Sequence, residues 1–192
     1  MNIANLLEKY KIKANVNMLL DIWNESHRKY HNLDHFIDIK NMITEDYGNK
    51  KFNQDTYEKL ILTDLFHDII YDPMREDNEQ KSADFFMSLC LEKNNKDILE
   101  IRTAILDTAK HKATTKLSET FNKYDMNIIE RDYDSLLVWE EGIHEEYKQY
   151  GSQYKIGRLS FLEKCLDKYP MNTDNLLKLI DYVKTTYESL SS

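Results

Sequence analysis

Residues that break helices are scarce in this chain. Four glycines and two prolines punctuate 192 residues, while Leu, Lys, Glu, Ile and Asp dominate. The backbone therefore has few places to end a helical turn, and many residues that tolerate one. The expected fold class is all-α, a helical bundle. The length suits one well-buried core and no shift in composition marks a boundary, so residues 1–192 read as a single domain.

Hydrophobic spacing locates the helices. Ile3, Leu6, Leu7 and Tyr10, then Val16, Leu19, Leu20 and Trp23, recur at three- and four-residue intervals. The pattern restarts at Asp34, which reads as an N-cap, and runs to Gly48. A strongly apolar helix follows Asp55 and carries Tyr57, Leu60, Ile61, Leu65, Phe66, Ile69 and Ile70; apolar content on more than one face predicts a central position. Asp77 with Gln80 fits a capping box for a helix over Asn78 to Glu92. Further helices are expected at Asp97–Lys112, Leu117–Ile129, Tyr133–Tyr150, Gln153–Lys168 and Thr173–Leu190. No repeat or sustained heptad seam is present.

A formal charge of -8 repels a polyphosphate backbone, which argues against generic nucleic-acid binding. A small anionic substrate is compatible with that charge if local cations and a metal override it. Lys110, Lys112 and Lys116 surround His111 in this way, although a lysine run also describes a solvated helix face. Cys90 and Cys165 lack metal-ligand spacing and sit among apolar neighbours, as reduced core residues do. No basic leader or bilayer-length apolar run is visible, so the expected location is cytoplasmic and no membrane partner is expected. The late tyrosines Tyr147, Tyr150 and Tyr154 could pack internally or form a homo-oligomer interface.

The six histidines are unevenly spread, with His27, His31 and His35 on one stretch and His67 in the most apolar helix. If residues 31–35 were helical, His31 and His35 would share a face and suit one metal; if Asp34 is the cap, only His35 is on the helix. His67 and Asp68 lie within Leu65-Phe66-His67-Asp68-Ile69-Ile70. An ionised carboxylate there costs several kcal/mol unless paired or metal-bound. A His and Asp bonded to each other within the core would also satisfy that requirement. Just past the pair, residues 71–79 carry Asp72, Glu76, Asp77 and Glu79 with Asn78, a rim that could position water or a second cation, or cap the next helix.

Tyr30-His31-Asn32-Leu33-Asp34-His35, then Phe66-His67-Asp68-Ile69-Ile70-Tyr71-Asp72-Pro73 and Asp77-Asn78-Glu79, resemble the predicted metal-dependent phosphohydrolases of the HD-domain superfamily. Thr108-Ala109-Lys110-His111, Tyr124-Asp125-Met126-Asn127-Ile128, Glu146-Tyr147 and Gly157-Arg158 resemble later motifs of that family, so the similarity covers nearly the whole chain. The resemblance implies that His35, His67, Asp68 and Asp125 converge on one divalent cation. It departs at Asn127, where the family usually has a second Asp.

Two imidazoles and two carboxylates form a mixed N/O set that does not choose among Mn, Co, Ni, Fe, Mg and Zn. The implied activity is hydrolysis of a phosphoester or phosphoanhydride in a small phosphorylated substrate, most naturally a nucleotide, by metal-activated water. On that reading Asp68, Asp72, Asp77 and Glu79 are the candidate catalytic residues, as ligand, water-orienting group or acid. His31, Lys110, His111 and Arg158 are candidates to hold phosphate oxygens. Two other functions fit parts of the pattern. One is a non-catalytic nucleotide-binding or sequestering protein, kept open by Asn127. The other is a dinuclear-iron oxygenase of the same superfamily, which needs more histidines than His111 between the His-Asp pair and the last Asp.

Overall fold

Asparagine side chains start half of the helices. In the computed structural model, which describes residues 2–187, the helices are α1 (Ile3–Lys9), α2 (Val16–Trp23), α3 (Leu33–Gly48), α4 (Gln54–His67), α5 (Asn78–Leu89), α6 (Lys96–Thr108), α7 (Lys116–Asp125), α8 (Tyr133–Tyr147), α9 (Ser152–Lys168) and α10 (Thr173–Thr186). Asn2, Asn15, Asn32, Asn53 and Asn95 each accept hydrogen bonds from the first-turn amides of α1, α2, α3, α4 and α6. Such a cap satisfies donors that the helix itself leaves unpaired. Among the described residues regular structure is helical throughout, with one isolated antiparallel bridge between Ile12 and Cys90. The all-α class is therefore correct.

Several predicted caps and boundaries differ in the structure. The cap of α3 is Asn32, two residues before Asp34, and that of α4 is Asn53, two before Asp55; in each case the aspartate lies in the first helical turn. Asp77 occupies the N-cap position of α5 but makes no capping hydrogen bond, because its carboxylate accepts two bonds from Arg75, at 2.7 and 2.8 Å. The predicted continuation of α6 to Lys112 stops at Thr108, since His111 takes a φ of 46°, which an α-helix cannot contain. The predicted end of α10 at Leu190 lies outside the described residues.

The chain divides into two compact units, Met1–Asp125 and Met126–Ser192. In the first, α4 is the central helix: every residue from Tyr57 to His67 is buried, and α3, α5, α6 and α7 pack around it. Leu60, Leu62, Leu65 and Phe66 are wholly inaccessible, each contributing about 2 kcal/mol by leaving water. Trp23 ties α2 to this helix by donating its indole N–H to the Leu65 carbonyl at 3.1 Å. In the second unit α8, α9 and α10 bury Leu136, Trp139, Leu162, Leu176, Leu179 and Val183. Cys90 and Cys165 are both free and buried, as their apolar neighbours predict. Among the described residues no helix is long and apolar enough to cross a membrane.

Glu58 and Lys59, within the buried stretch of α4, are both paired. Lys59 reaches Asp55 at 2.7 Å and Glu100 at 2.9 Å. Glu58 accepts from Lys9, from Gln54 Nε2 at 2.8 Å and from the Tyr10 hydroxyl at 3.2 Å. Burial alone would raise the Glu58 pKa, but these partners, Lys9 foremost, bring it below the ordinary glutamate value. A carboxyl with a lowered folded pKa adds stability above its unfolded pKa and loses it as pH falls through the folded value. Glu58→Gln should therefore destabilise the protein by about 1–3 kcal/mol at neutral pH. In denaturant titrations the difference from wild type should shrink below a pH of about 4.

Candidate metal centre

α3, α4 and α7 deliver the candidate ligands. Asn32 starts α3 by accepting from the amides of Asp34 and His35, which puts His35 in the first turn and leaves His31 outside the helix. α4 ends on His67, with Asp68 as its C-cap, and α7 ends on Asp125. The side chains of His35 and His67 are 4% and 1% exposed, those of Asp68 and Asp125 14% and 11%, so the set is nearly dry.

The donor atoms converge. Ligand atoms of His35, His67 and Asp68 all lie within 4.8 Å of one another, and this cluster could hold a metal ion. Asp125 joins it through one oxygen: Oδ1 is 3.5 Å from His35 Nε2 and 3.7 Å from His67 Nε2, while His67 Nε2 is 3.1 Å from Asp68 Oδ2. Ligands at about 2.1 Å from a shared ion stand about 3.0–3.4 Å apart in octahedral or tetrahedral arrangements. The 3.1, 3.5 and 3.7 Å separations match that range or slightly exceed it.

The orphaned atoms supply an independent test of fit. His35 Nε2 and His67 Nε2 are buried and make no hydrogen bond. They are close to carboxylate oxygens without being aligned to bond to them, as expected of atoms that share a centre. The tautomer of His67 is fixed from behind: Nδ1 donates to the Asp64 carbonyl at 2.9 Å, so in the neutral ring Nε2 carries the lone pair. A divalent cation would satisfy both nitrogens and neutralise both carboxylates.

The field within the cluster carries the same message. For His67, burial disfavours a proton, but the charges of Asp68, Asp125 and Asp64 outweigh it and raise the pKa to about 10. At His35 burial prevails over Asp125, and the pKa falls. Asp68 and Asp125 stay below the usual carboxylate range despite burial, Asp68 through the charge on His67 and Asp125 through the bond from His111 and the imidazoles of His35 and His67 nearby. Asp64, fully buried with both oxygens unpartnered, is driven well above the ordinary carboxylate range by desolvation.

The other predicted site residues divide. Glu79 is brought to the cluster, within electrostatic reach of Asp68, His111 and His31; burial raises its pKa, a hydrogen bond from its own backbone opposes this, and Asp68 raises it further. The ring of His31 stacks on Tyr71 at 4.3 Å and meets His35 edge-on at 5.9 Å. His111 donates Nε2–H to Asp125 Oδ2 at 2.9 Å, the ionised carboxylate being able only to accept. Lys110 is exposed on the same connection. Asp72 instead closes a turn, accepting from the Met74 amide at 2.9 Å, and Asp77 is paired with Arg75. Arg158 belongs to the second unit, where Nε donates to buried Glu140 and the guanidinium lies 4.0 Å over Trp139. Asn127 is also in that unit and accepts from Arg131 at 3.2 Å.

Sequence reasoning missed Arg28. Its side chain is wholly inaccessible. It donates to the carbonyls of Asp68 at 2.8 Å, Ile69 at 3.0 Å and His31 at 3.0 Å, and lies against Trp23 and Tyr71. One guanidinium thereby satisfies carbonyls left open where α4 ends and joins the His31 segment to the ligand Asp68. The available signal was the α4 terminus itself: a buried helix end needs donors, and Arg28 is the one arginine in the adjacent histidine-rich stretch.

Comparison with protein-family models, with curated proteins and with solved structures finds no match to this chain. Arg28→Lys, which keeps the charge but loses the planar fork, should destabilise by about 2–4 kcal/mol in denaturant unfolding.

Proposed function

We propose that this protein is a divalent-metal-dependent phosphohydrolase of the HD-domain type, acting on a small phosphorylated metabolite, most naturally a nucleotide. The observation that carries the reading is the pair of buried, unpartnered nitrogens, His35 Nε2 and His67 Nε2, set beside the oxygens of Asp68 and Asp125. These four residues would hold the ion. Bound there, a divalent ion supplies a polarised phosphoryl oxygen and a water of lowered pKa.

The chain's own groups provide the rest. Burial raises the pKa of Glu79, which favours this carboxyl as the proton donor to a leaving oxygen. Lys110 places an exposed cation beside His111, suited to an anionic substrate. His31 and Tyr71 form a stacked pair beside His35, a flat surface on which a planar base could rest. Arg75 holds Asp77 and a turn holds Asp72, so Glu79 is the rim carboxyl with the strongest claim on the proton. His111, which a dinuclear-iron centre would need as a ligand, is committed to Asp125.

The test is phosphate release from a panel of nucleotides and other phosphoesters, each supplied with Mn2+, Co2+, Ni2+, Mg2+ or Zn2+. Turnover is expected with at least one substrate, and His67→Ala or Asp68→Ala should reduce it by at least a thousandfold while preserving the helical circular dichroism. Tight nucleotide binding without turnover across the panel would replace this reading with a sequestering role.

A further inference from the structure

Asp125 uses its two oxygens differently. Oδ1 faces His35 and His67, at 3.5 and 3.7 Å, whereas Oδ2 accepts from His111 Nε2 at 2.9 Å. His111 does not belong to a helix that would place it there. It sits in the connection between α6 and α7 with φ 46°, a left-handed conformation that a side chain with a β-carbon adopts at a cost.

The connection is fastened on both sides of that residue. The His111 amide bonds to Thr108 O at 3.1 Å and the Lys112 amide to Asp107 O at 3.2 Å. The Asp107 carboxylate accepts from both the amide and the hydroxyl of Thr114, at 2.7 and 2.8 Å. Ser118 then accepts from the Thr115 amide at 3.0 Å, closing the start of α7. A costly backbone conformation held by five hydrogen bonds fixes where the imidazole can be.

We propose that His111 is a positioning residue that locks Asp125 as a one-oxygen ligand by occupying Oδ2, so that only Oδ1 is presented to the cation. This rests on the metal reading above and assigns His111 a role other than holding phosphate. Asp68 lies in the same cluster, and its carboxylate and that of Asp125 repel each other. Without a donor on Oδ2 the carboxylate is free to turn or to chelate through both oxygens. The coordination geometry therefore depends on a side chain that does not touch the ion.

The experiment measures Mn2+ binding by calorimetry, and the visible spectrum of the Co2+-loaded protein, for wild type and three variants. His111→Ala should weaken Mn2+ binding about 10–100-fold and alter the Co2+ spectrum. His111→Gln, whose amide N–H can still donate to Oδ2, should restore most of both. His111→Asn tolerates the positive φ but is too short to reach Asp125, so it should behave like His111→Ala and separates the hydrogen bond from loop strain. Circular dichroism and Tm confirm that each variant is folded, and the Gln and Asn variants decide the matter if His111→Ala is not. Wild-type affinity and an unchanged Co2+ spectrum in the Ala or Asn variant would overturn this role alone, as would a Gln variant no better than Asn. Wild-type protein that takes up neither ion would overturn the metal reading itself, and this role with it.

Discussion

Desolvating charge at the end of an apolar helix is the constraint on which the first unit depends. α4 is buried along its inner length, and it terminates on an imidazole and a carboxylate that no longer reach bulk water freely. Each such group costs several kcal/mol unless something opposite in charge is placed beside it. The surrounding elements do this: α3 brings His35, α7 brings Asp125, and Arg28 takes the carbonyls where the helix stops. What they leave unsatisfied are two imidazole nitrogens beside carboxylate oxygens, a cluster that could hold a metal ion.

The surroundings of the cluster hold it in shape. Asp64 O fixes the His67 tautomer, Asn32 sets the first turn that carries His35, and His111 takes the outer oxygen of Asp125. Each is a single hydrogen-bonded contact on a residue that would otherwise have rotational freedom, and together they determine which atoms face inward. A ligand set preorganised in this way loses little entropy when it closes on an ion.

The sequence made some of this legible. Scarce glycine and proline, with three- and four-residue apolar spacing, located the ten α-helices of the described residues, because burial of one face governs where helices form. His67 and Asp68 could be picked out because polar groups in so apolar a run require a partner. The capping residues were harder: Asp34, Asp55 and Asp77 are acceptable caps by type, but Asn32 and Asn53 took the first two positions and Arg75 drew the third away. His111 was hardest. Residues 109–112 are compatible with helix by type, and the positive φ at His111 past the end of α6 goes with local backbone bonds to Asp107 and Thr108 that residue type alone does not announce. Arg158, an arginine suited to phosphate by type, is held by a buried glutamate, a partner that local sequence does not reveal. Asp125 was named through resemblance; its place beside His35 and His67 is a property of the fold.

The central claim is that His35, His67, Asp68 and Asp125 share one divalent ion. Anomalous X-ray diffraction from crystals grown with Mn2+ tests it most directly. The account predicts one strong peak per chain, about 2.0–2.3 Å from His35 Nε2, His67 Nε2 and one oxygen each of Asp68 and Asp125. A map with no peak among these four side chains, or with the ion bound elsewhere on the chain, would contradict it.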